Sequence, residues 1–209
     1  MSERNTPADS ADEHSTTTTK KVAGKVNPVQ SAIEAIEDDV PVEVFRRLSH
    51  MKEAIGAIET WADDADPQDI DALVGAKTIV SAERERARDI RQEVPDGNTS
   101  LLQKFDNLTE RLENLVDTVE PLEFSTIGHV VYVNQQFVDR YDDSSVSVET
   151  ILLDAGKKDP DELGLFPLDG LLGNRQEDQA FPADRDLDLG EKNRTFFEST
   201  SDGGKIAYE

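Results

Sequence analysis

The apolar residues of this 209-residue chain change their spacing near residue 127, and that change divides it into two kinds of structure. Upstream, Val44, Leu48, Met51, Ile55, Ile58 and Ala62 step alternately by four and three. Leu101, Phe105, Leu108, Leu112, Leu115, Val119 and Leu122 do the same over three heptads. Steps of this kind put every member on one seam of a helix, and such a seam needs another helix to cover it. Downstream, Val131 and Val133 alternate with Val130 and Tyr132, the period-two texture of strands. The expectation is an α+β chain, helical first and sheet-forming last.

The boundaries within the helical part follow from local signals. Residues 1–26 are rich in Ser, Thr, Asp and Lys and poor in apolar side chains, so they read as a disordered tail. Asn27 followed by Pro28 reads as a helix start, with that helix ending before Pro41. A third helix is expected from about Pro67 to Val94, its seam interrupted by Lys77 and Arg84. Pro95-Asp-Gly-Asn98 is a turn, and Ser100 with Gln103 suggests a capping box for the last helix. Residues 27–126 thus predict an antiparallel bundle, or a coiled coil completed by a second chain, giving a homo-oligomer. Arg84, Arg88 and Arg91 share one helix face, with Arg86 nearby. That strip reads as a solvated, ion-paired face or as a docking strip for an acidic partner.

Charge narrows the function classes. The net charge is −23, with 45 acidic against 22 basic residues, and there is no cysteine. The excess lies in both folded parts: 23 acids against 10 bases over residues 27–126, and 18 against 8 over 127–209. It reads as adaptation to a salt-rich cytoplasm, where screening removes most self-repulsion, with a specific basic partner as the rarer alternative, and it argues against nucleic-acid binding. Absence of cysteine removes disulfides and thioester chemistry. His14, His50 and His129 lack partners at ligand spacing, so no metal or other cofactor is expected. No nucleophile, base and orienter can be assembled, so the chain is not expected to be an enzyme. No apolar run reaches membrane-spanning length, and the N-terminal residues lack the order of a secretion signal, so a cytoplasmic location is expected.

Residues 127–209 read as one small domain. A hairpin turns at Asn134-Gln-Gln, and Ser147 caps a short helix that stops at Gly156. A strand Leu163–Leu168 follows, then a polar loop, a short edge strand at Phe181-Pro182 and a final strand at Thr195–Glu198. That order is the order of a β-grasp, a small mixed sheet folded around one helix. Four pieces carry a more specific likeness: Val131-Tyr-Val-Asn134; Thr150-Ile-Leu-Leu-Asp-Ala-Gly156; Asp159 through Gly170; and Asp186 through Phe197. Over about residues 128–200 the chain resembles the prokaryotic multiubiquitin family of ubiquitin-like domains. It departs from that pattern at Gln135, where the turn glycine is usual, in a longer polar stretch at 171–180, and in having a single copy.

The resemblance implies a protein that is bound or attached. Gly203-Gly204 follows the last strand at the distance expected of a modifier's conjugated terminus, with Lys205–Glu209 as a removable tail. The alternative is a Ser-Asp-Gly-Gly hairpin turn that adds Lys205–Tyr208 as an edge strand. Likeness to ubiquitin also makes Phe166 a candidate partner-binding residue, with Leu165 in the core; otherwise Phe166 packs on the chain's own helices. Two functions follow. One is a modifier in a prokaryotic conjugation system, whose partners are activating and conjugating enzymes and a processing protease. The other is a non-covalent adaptor that docks partners through the β-grasp and the helical segment.

Overall fold

The computed structural model describes residues 17–190 and 194–201. Helices α1 (Thr18–Glu37), α2 (Val42–Asp64), α3 (Ala76–Glu93) and α4 (Thr99–Val119) form a bundle. Each packs on two others in the ring, α1 on α2 and α4, and α3 on α2 and α4. Every seam residue of α4, from Leu101 to Val119, is buried by this arrangement. The seam is therefore covered within the chain, and no second chain is needed to satisfy it.

Helix α1 corrects the expected start at Asn27. It begins at Thr18, so residues 18–26, read as part of a disordered tail, are helical. Val22, Val26, Val29, Ile33 and Ile36 continue the four-and-three stepping backward, and all are fully buried. Their contribution outweighs the sparse apolar content of the segment. Pro28 sits inside the helix. The carbonyl its missing N–H leaves unbonded belongs to Gly24, which is exposed to water.

The expected third helix also divides. A 3-10 turn covers Ile70–Leu73, and α3 begins only after Gly75, whose φ is +91°. Asn98, not Ser100, caps α4: its Oδ1 accepts the Leu101 N–H at 3.2 Å.

The described residues after α4 form seven strands, one α-helix and a 3-10 turn at Pro160–Glu162. The strands and the helix are β1 (His129–Val133), β2 (Gln136–Tyr141), β3 (Ser145–Ser147), α5 (Val148–Asp154), β4 (Gly164–Leu168), β5 (Phe181–Pro182), β6 (Asp186–Asp188) and β7 (Phe196–Thr200). Five strands make a mixed sheet in the order β2-β1-β7-β4-β5, with β7 parallel to β1 and the other pairs antiparallel. β3 and β6 pair separately; that small ladder was not legible in the sequence, where Asp186–Asn193 reads as turns.

Both faces of the sheet are covered. Val131, Val133, Leu165, Phe181 and Phe197 point to α5 and bury Val148, Ile151 and Leu152. Ser147 Oγ caps α5 by accepting the Thr150 N–H at 3.1 Å, and Gly156 ends it at φ +73°. The alternate residues Val130 and Tyr132, with Phe137 and Phe196, join the bundle core. The connection from α4 to β1 is pinned to the bundle, because Asp71 accepts the Ser125 N–H at 2.8 Å and the Ser125 hydroxyl.

Candidate functional site on the helix-facing side of the sheet

Alternation along β1 sends Tyr132 away from α5 and against α3, where its hydroxyl donates to Glu83 Oε1 at 3.1 Å. Glu83 and Arg86 lie one helical turn apart and are both fully buried. Glu83 Oε2 stands 3.1 Å from Arg86 Nε, close enough to pair as ions but not aligned as a hydrogen bond. The rest of the guanidinium reaches two other elements. Nη1 donates to the Arg47 carbonyl of α2 at 3.1 Å, and Nη2 donates to the Gln135 carbonyl in the β1–β2 turn. One arginine thus ties α2, α3 and the sheet together through backbone oxygens.

The electrostatics follow from this burial. Loss of water pushes the Glu83 carboxyl up to about 7, partly opposed by the Arg86 charge and the Tyr132 hydrogen bond. Burial, then the Glu83 charge, raises the Tyr132 phenol far above its ordinary range, so it remains a donor. His50 on α2 is lowered by burial and then by the Arg86 charge.

Aromatic side chains surround this polar centre. Trp61, from the end of α2, meets Phe137 edge-on at 6.2 Å, and Phe137 meets Tyr132 at 5.8 Å. Tyr132 also packs on Phe196, with ring centres 5.4 Å apart. Arg140 lies over Trp61 at 4.4 Å and donates to the Ala72 carbonyl at 2.8 Å. Beside the contact, a groove of about 850 Å³ runs between α3 and the loop after β4, lined by Lys77, Arg84, Arg88, Asp169 and Phe196.

The β1–β2 turn is tight. Asn134 and Gln135 have φ of +52° and +66°, the left-handed pair that a two-residue hairpin turn requires. Gln135 holds a conformation that glycine adopts without strain. Gln135→Gly keeps the carbonyl that Arg86 bonds. It is expected to raise stability by about 0.5 kcal/mol, the αL strain relieved less the entropy glycine adds to the unfolded chain, read from a urea midpoint. Asn134 Oδ1 also accepts the Ser199 N–H at 2.9 Å, fastening the end of β7.

The residues singled out from sequence fall in different places. Phe166 is buried at 6% exposure and belongs to neither apolar cluster. Arg175 lies over its ring at 3.9 Å, itself held by a two-pronged ion pair to Glu198. The long polar stretch 171–180 supplies that cover, so the exposed Phe expected of a partner site is not found. Of the arginine strip, Arg88 pairs with Glu113 at 3.0 Å and Arg91 with Asp106 at 2.5 Å, both on α4. These two pairs join helices α3 and α4, whereas Arg86 pairs with Glu83 within α3. Gly203 and Gly204, and the tail Lys205–Glu209, lie outside the described residues. Sequence reasoning missed Glu83 and Arg86 as a buried pair. The available signal was their three-residue spacing on the face of α3 that carries Ile79, Val80 and Ala87.

Among the described residues no group of three or more His, Asp or Glu side chains is placed to hold a metal ion, and no helix is long and apolar enough to cross a membrane. No protein-family model, curated protein or solved structure significantly matches the chain.

Proposed function

We propose that the chain is a ubiquitin-like protein that works by being bound or attached, as a modifier processed at Gly204 in a prokaryotic conjugation system. The observation that carries this reading is the strand order β2-β1-β7-β4-β5 with β7 parallel to β1 and α5 across one face. A β-grasp has this plan, and β7 ends at Thr200, three positions before Gly203. A chain with no cysteine suits the modifier and not the enzymes that carry thioesters.

The test is the intact mass of the protein recovered from its own cells. The modifier reading expects a species ending at Gly204, or heavier adducts that vanish in Gly204→Ala. A full-length terminus with no adducts would sink it.

A second reading, a non-covalent adaptor acting in the cytoplasm, is favoured by one observation: the helix-facing side of the sheet is already filled by α2 and α3. A β-grasp fixed on its own bundle suits a two-part docking protein. Its partners would then be proteins met by the bundle or by the groove along α3.

A further inference from the structure

The sheet and α5 share one buried cluster of their own, and the bundle forms a second, which Val130, Tyr132 and Leu171 join from the sheet side. Leu48, Ile55, Leu108 and Leu112 centre the bundle. The contact between the two differs from both cores in chemistry. It places a fully buried carboxylate, a fully buried guanidinium and a buried phenol among aromatic rings. Both backbone oxygens that Arg86 bonds belong to elements other than its own. These bonds are satisfied only when α2, α3 and the β1–β2 turn are all in register; separated, every one of these groups regains water. A buried ion pair contributes little net stability compared with apolar residues, but it sharply penalises any geometry that leaves one partner alone. A contact of this kind has two arrangements, closed or open, with little between.

We propose that the sheet with α5 is a docked module, that Arg86 is the latch closing it onto α2 and α3, and that opening uncovers an aromatic face of Tyr132, Phe137 and Phe196. The proposal stands whether or not the C-terminal tail is processed. The module remains tethered when open, through the segment between α4 and β1 that Asp71 holds at Ser125. Charged groups facing the latch come from each side: Glu83 on α3, Arg47 and His50 on α2, and Tyr132 on β1.

The molecule carries its own reporter. Trp61 is the single tryptophan, and its contacts with Phe137 and Arg140 cross the docked surface. In full-length Arg86→Met at pH 8, above the range in which folded Glu83 keeps its proton, the open fraction is expected to rise on the order of 100-fold, because Glu83 is left buried without its partner. Trp61 emission should then shift to the red and acrylamide quenching increase, with far-UV circular dichroism unchanged. The double variant Glu83→Gln/Arg86→Met removes the Glu83 and Arg86 charges together and is expected to return Trp61 part of the way to its docked emission, because the Arg47 and Gln135 carbonyls still lack Arg86. It also keeps the test available if the single variant does not fold. An unchanged Trp61 signal in Arg86→Met overturns the proposal. So does loss of circular dichroism and of Trp61 burial in one coincident transition, or a double variant as open as the single one.

Discussion

Between pH 4 and pH 8 the wild-type chain is expected to lose about 3 kcal/mol of stability that a Glu83→Gln variant keeps. The carboxyl is pushed up to about 7 in the folded chain, by burial first, from an ordinary value of 4.5. Across that window the folded state holds the proton and the unfolded state has released it. Stability from this group is therefore complete below about 4.5 and falls with rising pH by about 1.4 kcal/mol per unit until about 7. Glutamine cannot lose a proton, yet it can still accept from Tyr132 and stand beside Arg86. His50 works in the opposite sense, since its lowered value disfavours acid, but it is present in both chains and cancels in the difference. Urea midpoints across the range give the two profiles. Parallel curves from pH 4.5 to 7 would show that Glu83 does not titrate there.

Gly75→Ala is expected to cost about 2–4 kcal/mol, the second large effect. Two causes add. The φ of +91° places any side-chain-bearing residue in the left-handed region, and an added Cβ would overlap Cγ2 of Val130. Val130 cannot yield easily, being β-branched and 3% exposed. A matching approach occurs at Gly128, where a Cβ would meet Val74 and the stem of Arg140. The bundle and sheet thus approach tightly at two glycines, each facing a valine of the other part. A urea midpoint of Gly75→Ala within 0.5 kcal/mol of wild type would mean that the junction adjusts freely.

How much of this could be read from sequence depended on how far each signal is local. The seams of α2 and α4 were legible because Leu48, Met51, Ile55 and Ile58, and Leu101 through Val119, are buried by the stepping that revealed them. Ser147 and Gly156 were legible as the two ends of α5 for the same reason: a cap and a left-handed stop act within a few residues. The start of α1 was not. Local rules favour Asn27-Pro28 as a beginning, and only contact with α2 and α4 rewards Val22 and Val26 upstream. The cover over Phe166 was not legible either, because it comes from Arg175, which is held by Glu198, 23 residues further along the chain than Arg175. The candidate site was least legible. Glu83 and Arg86 look like two more charges in a charged helix, and their burial depends on Tyr132 and Gln135 arriving from about fifty residues away.

The place of β7 has a mechanical consequence. Among the described residues it is the last strand in sequence and the middle strand of the sheet, flanked by β1 and β4. Because β7 runs parallel to β1, tension between the start of β1 and the end of β7 loads their bonds in shear: they must break together and cannot open one at a time. The antiparallel ladder to β4, five residue pairs from Gly164–Thr200 to Leu168–Phe196, holds the other flank of the same strand. A motor pulling on the C-terminus would thus meet the best-supported strand first, and the sheet would resist being drawn apart until that strand gave way as a whole.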